Sequence, residues 1–206
     1  KSLIDLKNLK DKNSSVKALA YQLYENNGVL KRENVTEYLK ILGQNERKIL
    51  RDLGVKFGRY HVFLYKLIKP EPVLLRTLLW KNFHQKYFNL TPPTFGLNFI
   101  EDKDNRNKNF MLLCGFEKFD NFYIRIDILE RLFKQIINSN SDENKEIKLK
   151  PEMLNLLGCS KDDFKKLIKK MSYKIYEKNE ELYFRYIPQK NFKKNDKKKT
   201  LKENPF

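Results

Sequence analysis

Histidine and cysteine are scarce here, two of each in 206 residues, and most metal and triad chemistry is excluded with them. His61 and His84 stand near no cysteine or paired carboxylate at ligand spacing. Cys114 and Cys159 are far apart and each has apolar neighbours, so they read as free buried thiols of a reducing, cytoplasmic compartment. No glycine-rich phosphate loop followed by lysine and a hydroxyl residue occurs, so no catalytic centre and no cofactor site is expected in these residues. Long apolar runs are missing too. The densest stretch, 73–80, contains Arg76 and Thr77 and falls far short of the roughly 20 residues of a membrane helix, so no membrane partner is expected. The sequence starts at Lys1 with no leader pattern, and it reads as a piece of a longer polypeptide.

Acidic residues are outnumbered, 26 against 43 Lys and Arg, leaving a formal charge of +17. An excess of that size favours a polyanionic partner, because clustered cations displace the counterions condensed on phosphates. Lysine dominates over arginine alongside much Asn and Ile, a composition that an AT-rich coding sequence also produces. The stretch 190–202 alone holds seven lysines against Asp196, which leaves +11 for the remaining body.

With 40% hydrophobic residues the chain can bury a core. A polar leader, 1–14, precedes a helix capped by Ser15, with Val16, Leu19, Ala20 and Leu23 at helical spacing and Gly28 closing it. Asn34 and Asn45 are expected to cap helices over 35–42 and 46–53, stopped by Gly43 and Gly54. Residues 55–64 suit one strand with a bulge at Gly58. Pro70 and Pro72 start a helix carrying Val73, Leu74, Leu75, Leu78, Leu79, Trp80, Phe83 and Tyr87. Being apolar nearly all round, it is expected at the centre of the core.

A loop follows over 89–106, then a short helix (107–114), an extended run (122–126), and a helix capped by Asp127 with core positions Leu129, Leu132, Phe133 and Ile136. Beyond a hydrophilic linker, 138–146, come a helix over 151–157, a capping box at Ser160 opening a helix over 164–171, and a hairpin of 173–176 with 182–187. The expected fold is mainly α with small β hairpins: a helical subdomain (15–88), then a winged-helix-like subdomain (107–187) and a disordered basic tail (188–206). A faint echo between 41–43 and 156–158, each followed by a helix and strand, hints at a degenerate second copy.

Two basic surfaces are candidates for nucleic-acid binding. On the helix from Lys161, the side chains of Lys161, Lys165, Lys166, Lys169 and Lys170 fall opposite Phe164, Leu167, Ile168 and Met171 at about 100° per residue. Over 44–61, Arg47, Lys48, Arg51, Lys56 and Arg59 interleave with Phe57 and Tyr60, the mixture of cations and rings that single strands use.

The residues of 53–63, Leu-Gly-Val-Lys-Phe-Gly-Arg-Tyr-His-Val-Phe, followed by Leu67-Ile68-Lys69-Pro70 and Leu75-Arg76-Thr77-Leu78-Leu79-Trp80, resemble a block of the alphaproteobacterial superfamily 2 RNA helicases, relatives of the mitochondrial degradosome helicase. Ile126-Asp127-Ile128-Leu129-Glu130-Arg131 and Leu156-Leu157-Gly158-Cys159-Ser160 are similar to the same family's region beyond its motor. The resemblance spans roughly 29–176. It implies an accessory region that holds single-stranded or unwinding RNA, beside an N-terminal helicase core that carries ATP, magnesium and the hydrolytic residues, with a nuclease as a further partner. The alternatives are a protein-interaction module docking a nuclease or ribosomal partner, and a DNA-binding winged-helix protein.

Overall fold

The computed structural model describes residues 2–9, 14–139 and 146–187. The basic tail read over 188–206 lies outside the described residues, as do parts of the leader (10–13) and the linker (140–145). The fold is mixed α/β, with more strand than expected: three antiparallel three-stranded sheets, each built on a hairpin.

The first unit begins where a polar leader was expected. Instead, α1 (Ser2–Lys7) lies on α2 (Ser14–Glu25) and buries Leu6 in one cluster with Val16, Leu19, Ala20 and Leu23. Next come β1 (Val29–Lys31), a 3₁₀ turn, α3 (Thr36–Ile41) and α4 (Gln44–Asp52). Neither expected asparagine cap forms. Asn34 sits in the 3₁₀ turn, Asn45 lies inside the first turn of α4, and the cap positions belong to Val35 and Gly43. The run expected as one bulged strand is a hairpin, β2 (Val55–Phe57) and β3 (His61–Leu64), with Gly58 in the reversal rather than at a bulge. Because β3 pairs on its other edge with β1, the strand order is β1-β3-β2.

The second unit opens with α5 (Pro70–Phe83), starting at its prolines as expected. Of its expected core residues only Val73 is buried. Val73, Arg76 and Thr77 face inward, while Leu74, Leu75, Leu78, Leu79 and Phe83 are exposed and Trp80 is only half-buried. The expected loop contains β4 (Phe99–Glu101). After α6 (Lys108–Leu113), whose first turn is capped by Asn107, β5 (Phe116–Phe119) and β6 (Phe122–Arg125) complete a sheet in the order β4-β6-β5. Strand alternation in β6 serves two cores: Tyr123 joins Val73, Ile100, Phe110 and Phe116, whereas Phe122 and Ile124 join the third unit.

The third unit comprises α7 (Ile126–Asn138), β7 (Ile147–Lys148), α8 (Pro151–Leu157), α9 (Lys161–Lys170), β8 (Tyr173–Lys178) and β9 (Glu181–Tyr186), in the order β7-β9-β8. Asp127 does not cap α7, which starts one residue earlier; its carboxylate takes the Arg125 guanidinium at 2.7 and 3.0 Å. Leu129, Leu132, Phe133 and Ile136 are buried with Phe164, Leu167, Ile168 and Phe184, as the periodicity required.

The three units repeat one plan of helix, edge strand, helix or helix pair, then hairpin. In each, a residue of positive φ turns the chain into the hairpin: Gly54 at 90°, Gly115 at 87° and Ser172 at 66°. The echo read between the two halves thus extends to three copies, the middle one with a single short helix, α6, before its hairpin.

Candidate nucleic-acid interface

The lysines of α9 stand on the outer side of a well-built helix. Ser160 caps it, its hydroxyl oxygen accepting from the Asp163 amide at 3.1 Å, and Phe164, Leu167 and Ile168 anchor the inner side. The outer side is largely neutralised by neighbours. Lys165 pairs with Glu177 at 2.8 Å, Lys166 with Asp163 at 3.0 Å and Lys170 with Asp120 at 2.9 Å. Lys161 and Lys169 have no ion pair among the described residues.

The second candidate set divides. Arg47 is a brace: its Nε and Nη2 donate to the carbonyls of Leu42 (3.1 Å) and Leu39 (2.8 Å), closing the end of α3. Tyr60 packs edge-on against Phe133 with ring centroids 5.3 Å apart, and burial pushes its hydroxyl pKa up. Lys48 and Arg51 are exposed on α4, with the Arg51 guanidinium 5.7 Å from the Phe57 ring. Lys56 and Arg59 point elsewhere, into a groove between the first hairpin and α7.

That groove encloses about 910 Å³ and brings together seven cations from four parts of the chain: Arg32, Lys56, Arg59, Lys69, Arg125, Arg131 and Lys134. Only Asp127 and Glu130 oppose them, and both carboxylates are committed. Asp127 holds Arg125. Glu130 accepts from the backbone amides of Arg59, Tyr60 (2.9 Å) and His61 (2.9 Å), so its charge is spent on the hairpin turn. Gly58 makes this possible, since a Cβ there would run into the Glu130 carboxylate. Burial, followed by the charges of Arg47 and Arg59, holds the Arg32 guanidinium below its ordinary value. The aromatic lining is Phe57, Phe63, Tyr65 and Phe133, and the Arg59 guanidinium lies 5.4 Å from the Phe133 ring.

Five of the seven cations, Arg32, Lys69, Arg125, Arg131 and Lys134, were not singled out by sequence reasoning. Arg131 and Lys134 carry a readable signal, falling at i and i+3 on the side of α7 away from Leu129, Leu132 and Phe133. What faces that side is decided only by tertiary packing.

The chain matches no family model, no curated protein and no solved structure. Among the described residues no group of three or more His, Cys, Asp or Glu side chains is set to hold a metal, and no helix is long and apolar enough to cross a membrane.

Proposed function

We propose that this chain is an RNA-binding accessory region of an ATP-dependent RNA helicase, made of winged-helix-like units, with the groove between the β2–β3 hairpin and α7 as its phosphate path. The order helix, strand, helix, helix, hairpin in the first and third units, with the edge strand beside the second hairpin strand, supports the winged-helix reading. The observation that carries the binding reading is the groove's charge: seven cations against two carboxylates already engaged within the fold. Lysine and arginine with this much unspent charge gain by releasing counterions from phosphates, and Phe57 and Tyr65, the two lining rings that are not buried, give bases a surface to stack on. The choice of RNA, and the helicase core as neighbour, come from the family resemblance.

The test is the salt dependence of RNA binding. Replacing the exposed Lys56, Arg131 and Lys134 by Gln removes three groove charges without touching a core contact, so the slope of log affinity against log salt falls by roughly 2 to 3. The matching change at Lys165, Lys166 and Lys169 has a smaller effect, because two of those three are already paired. A groove variant that keeps the parental slope would overturn the assignment.

A further inference from the structure

The helix α5 turns its leucines outward. Leu74, Leu75, Leu78 and Leu79 are 50 to 59% exposed and Phe83 is 83% exposed, while Arg76 and Thr77 are buried beneath them. Soluble proteins seldom leave so many large apolar side chains together on one helix. Spacing gives this face a shape. Leu74 with Leu78, and Leu75 with Leu79, form two parallel i,i+4 ridges, and the groove between such ridges is what another helix packs into. Lys66 precedes the helix, Lys81 lies in its last turn and Lys86 follows it, with Glu71 the one acidic residue of 66–86, and none of these four is in an ion pair among the described residues. The Lys81 ammonium lies 5.6 Å from the ring of Phe88, itself exposed, which extends the apolar surface past the helix end.

We infer that the outer face of α5 docks an amphipathic helix of another protein whose apolar stripe is flanked by carboxylates. The ridges call for a helix, and the unpaired lysine rim calls for acidic flanks. A second copy of this chain is the poorer occupant, because an isologous pairing sets the same lysines against one another in molecules of charge +17. None of these leucines and lysines lines the nucleic-acid groove, so the two readings stand or fall independently.

The experiment uses the full chain and two synthetic helical peptides of about 18 residues, five turns, with leucines at i, i+3, i+4 and i+7. One carries Glu on both flanks and the other Lys at the same positions. Fluorescence polarisation is expected to show the Glu-flanked peptide binding at least about tenfold more tightly than its Lys counterpart, with the difference shrinking in high salt. The Leu75→Gln, Leu79→Gln double variant, checked for an unchanged thermal melt, is expected to lose that binding. No binding of either peptide, equal binding of both, or an unaffected double variant overturns the inference. So does either of two other behaviours if the double variant abolishes it: concentration-dependent dimerisation in sedimentation, which would make the face an interface between copies, or flotation with anionic phosphatidylserine vesicles, which would make it a membrane surface.

Discussion

Glu130 of α7 closes over Gly58 in the turn of the first hairpin, its carboxylate occupying the space a side chain at 58 would need and accepting three successive backbone amides. Gly58→Ala and Glu130→Ala therefore break the same contact from opposite sides. Each is expected to cost about 1 to 3 kcal/mol, the penalty of leaving the part-buried amides of Tyr60 and His61 short of an acceptor. Together they cost clearly less than the sum of the two. Urea unfolding of the two single variants and the double variant gives the coupling directly, and strict additivity would show that the clasp is not shared.

The pH dependence of stability centres on His61, buried between Glu117 (Nε2 to Oε2, 3.1 Å) and Glu130 (Nδ1 to Oε1, 3.5 Å), with Lys31 on the far oxygen of Glu117 at 2.8 Å. Burial opposes the charged imidazole, but hydrogen bonding to and the charges of Glu117 and Glu130 outweigh it, so the His61 pKa is raised. Burial likewise opposes ionised Glu117, and His61 and Lys31 overcome it and lower its pKa. The His61 contribution is whole below its ordinary value of 6.5 and is lost as pH rises through the raised value. The Glu117 contribution is whole above 4.5 and is lost as pH falls through the depressed value. The pair thus contributes most between 4.5 and 6.5. His61→Gln is expected to flatten the decline in unfolding free energy on the alkaline side. Equal slopes in parent and variant above pH 6.5 would contradict this.

The burial of α5 makes a contrast measurable by thermal melts. Leu75→Gln and Leu79→Gln are each expected to change stability by no more than about 0.5 kcal/mol, as surface substitutions do. Leu129→Ala, at a position with no exposure, is expected to cost about 2 to 5 kcal/mol. Large losses at both leucines would return α5 to the core.

Thiol chemistry offers a fourth check. Burial pushes the Cys114 thiol up to about 12 and Cys159 up to about 11. Neither is expected to react readily with iodoacetamide in the native chain at pH 8, a pH well below both values. Labelling followed by mass spectrometry is expected to find the half-buried Cys159 modified before the buried Cys114. Fast modification of Cys114 under native conditions would mean that the second unit opens.

The helices that sequence reasoning read well, α2, α7 and α9, have one apolar stripe and polar residues elsewhere, so period and burial agree. In α5 the apolar residues surround the axis, and periodicity then says nothing about which side is buried. Short strands escaped for another reason. β1, β4 and β7 are two or three residues long, too few for alternation to show, and β4 sits among prolines and polar residues that read as loop. The groove was half legible: Lys56 and Arg59 stand in a visible basic-aromatic run, but their partners Arg131 and Lys134 belong to another helix, and tertiary contacts, the fastening of Gly58 to Glu130 and the packing of Tyr60 on Phe133, bring the two walls together.

That fastening has a mechanical side. A load that draws apart the two walls, one from the first unit and one from the third, passes through the clasp at Glu130. Three amide-to-carboxylate bonds then carry it together, beside the edge-on contact of the Tyr60 and Phe133 rings.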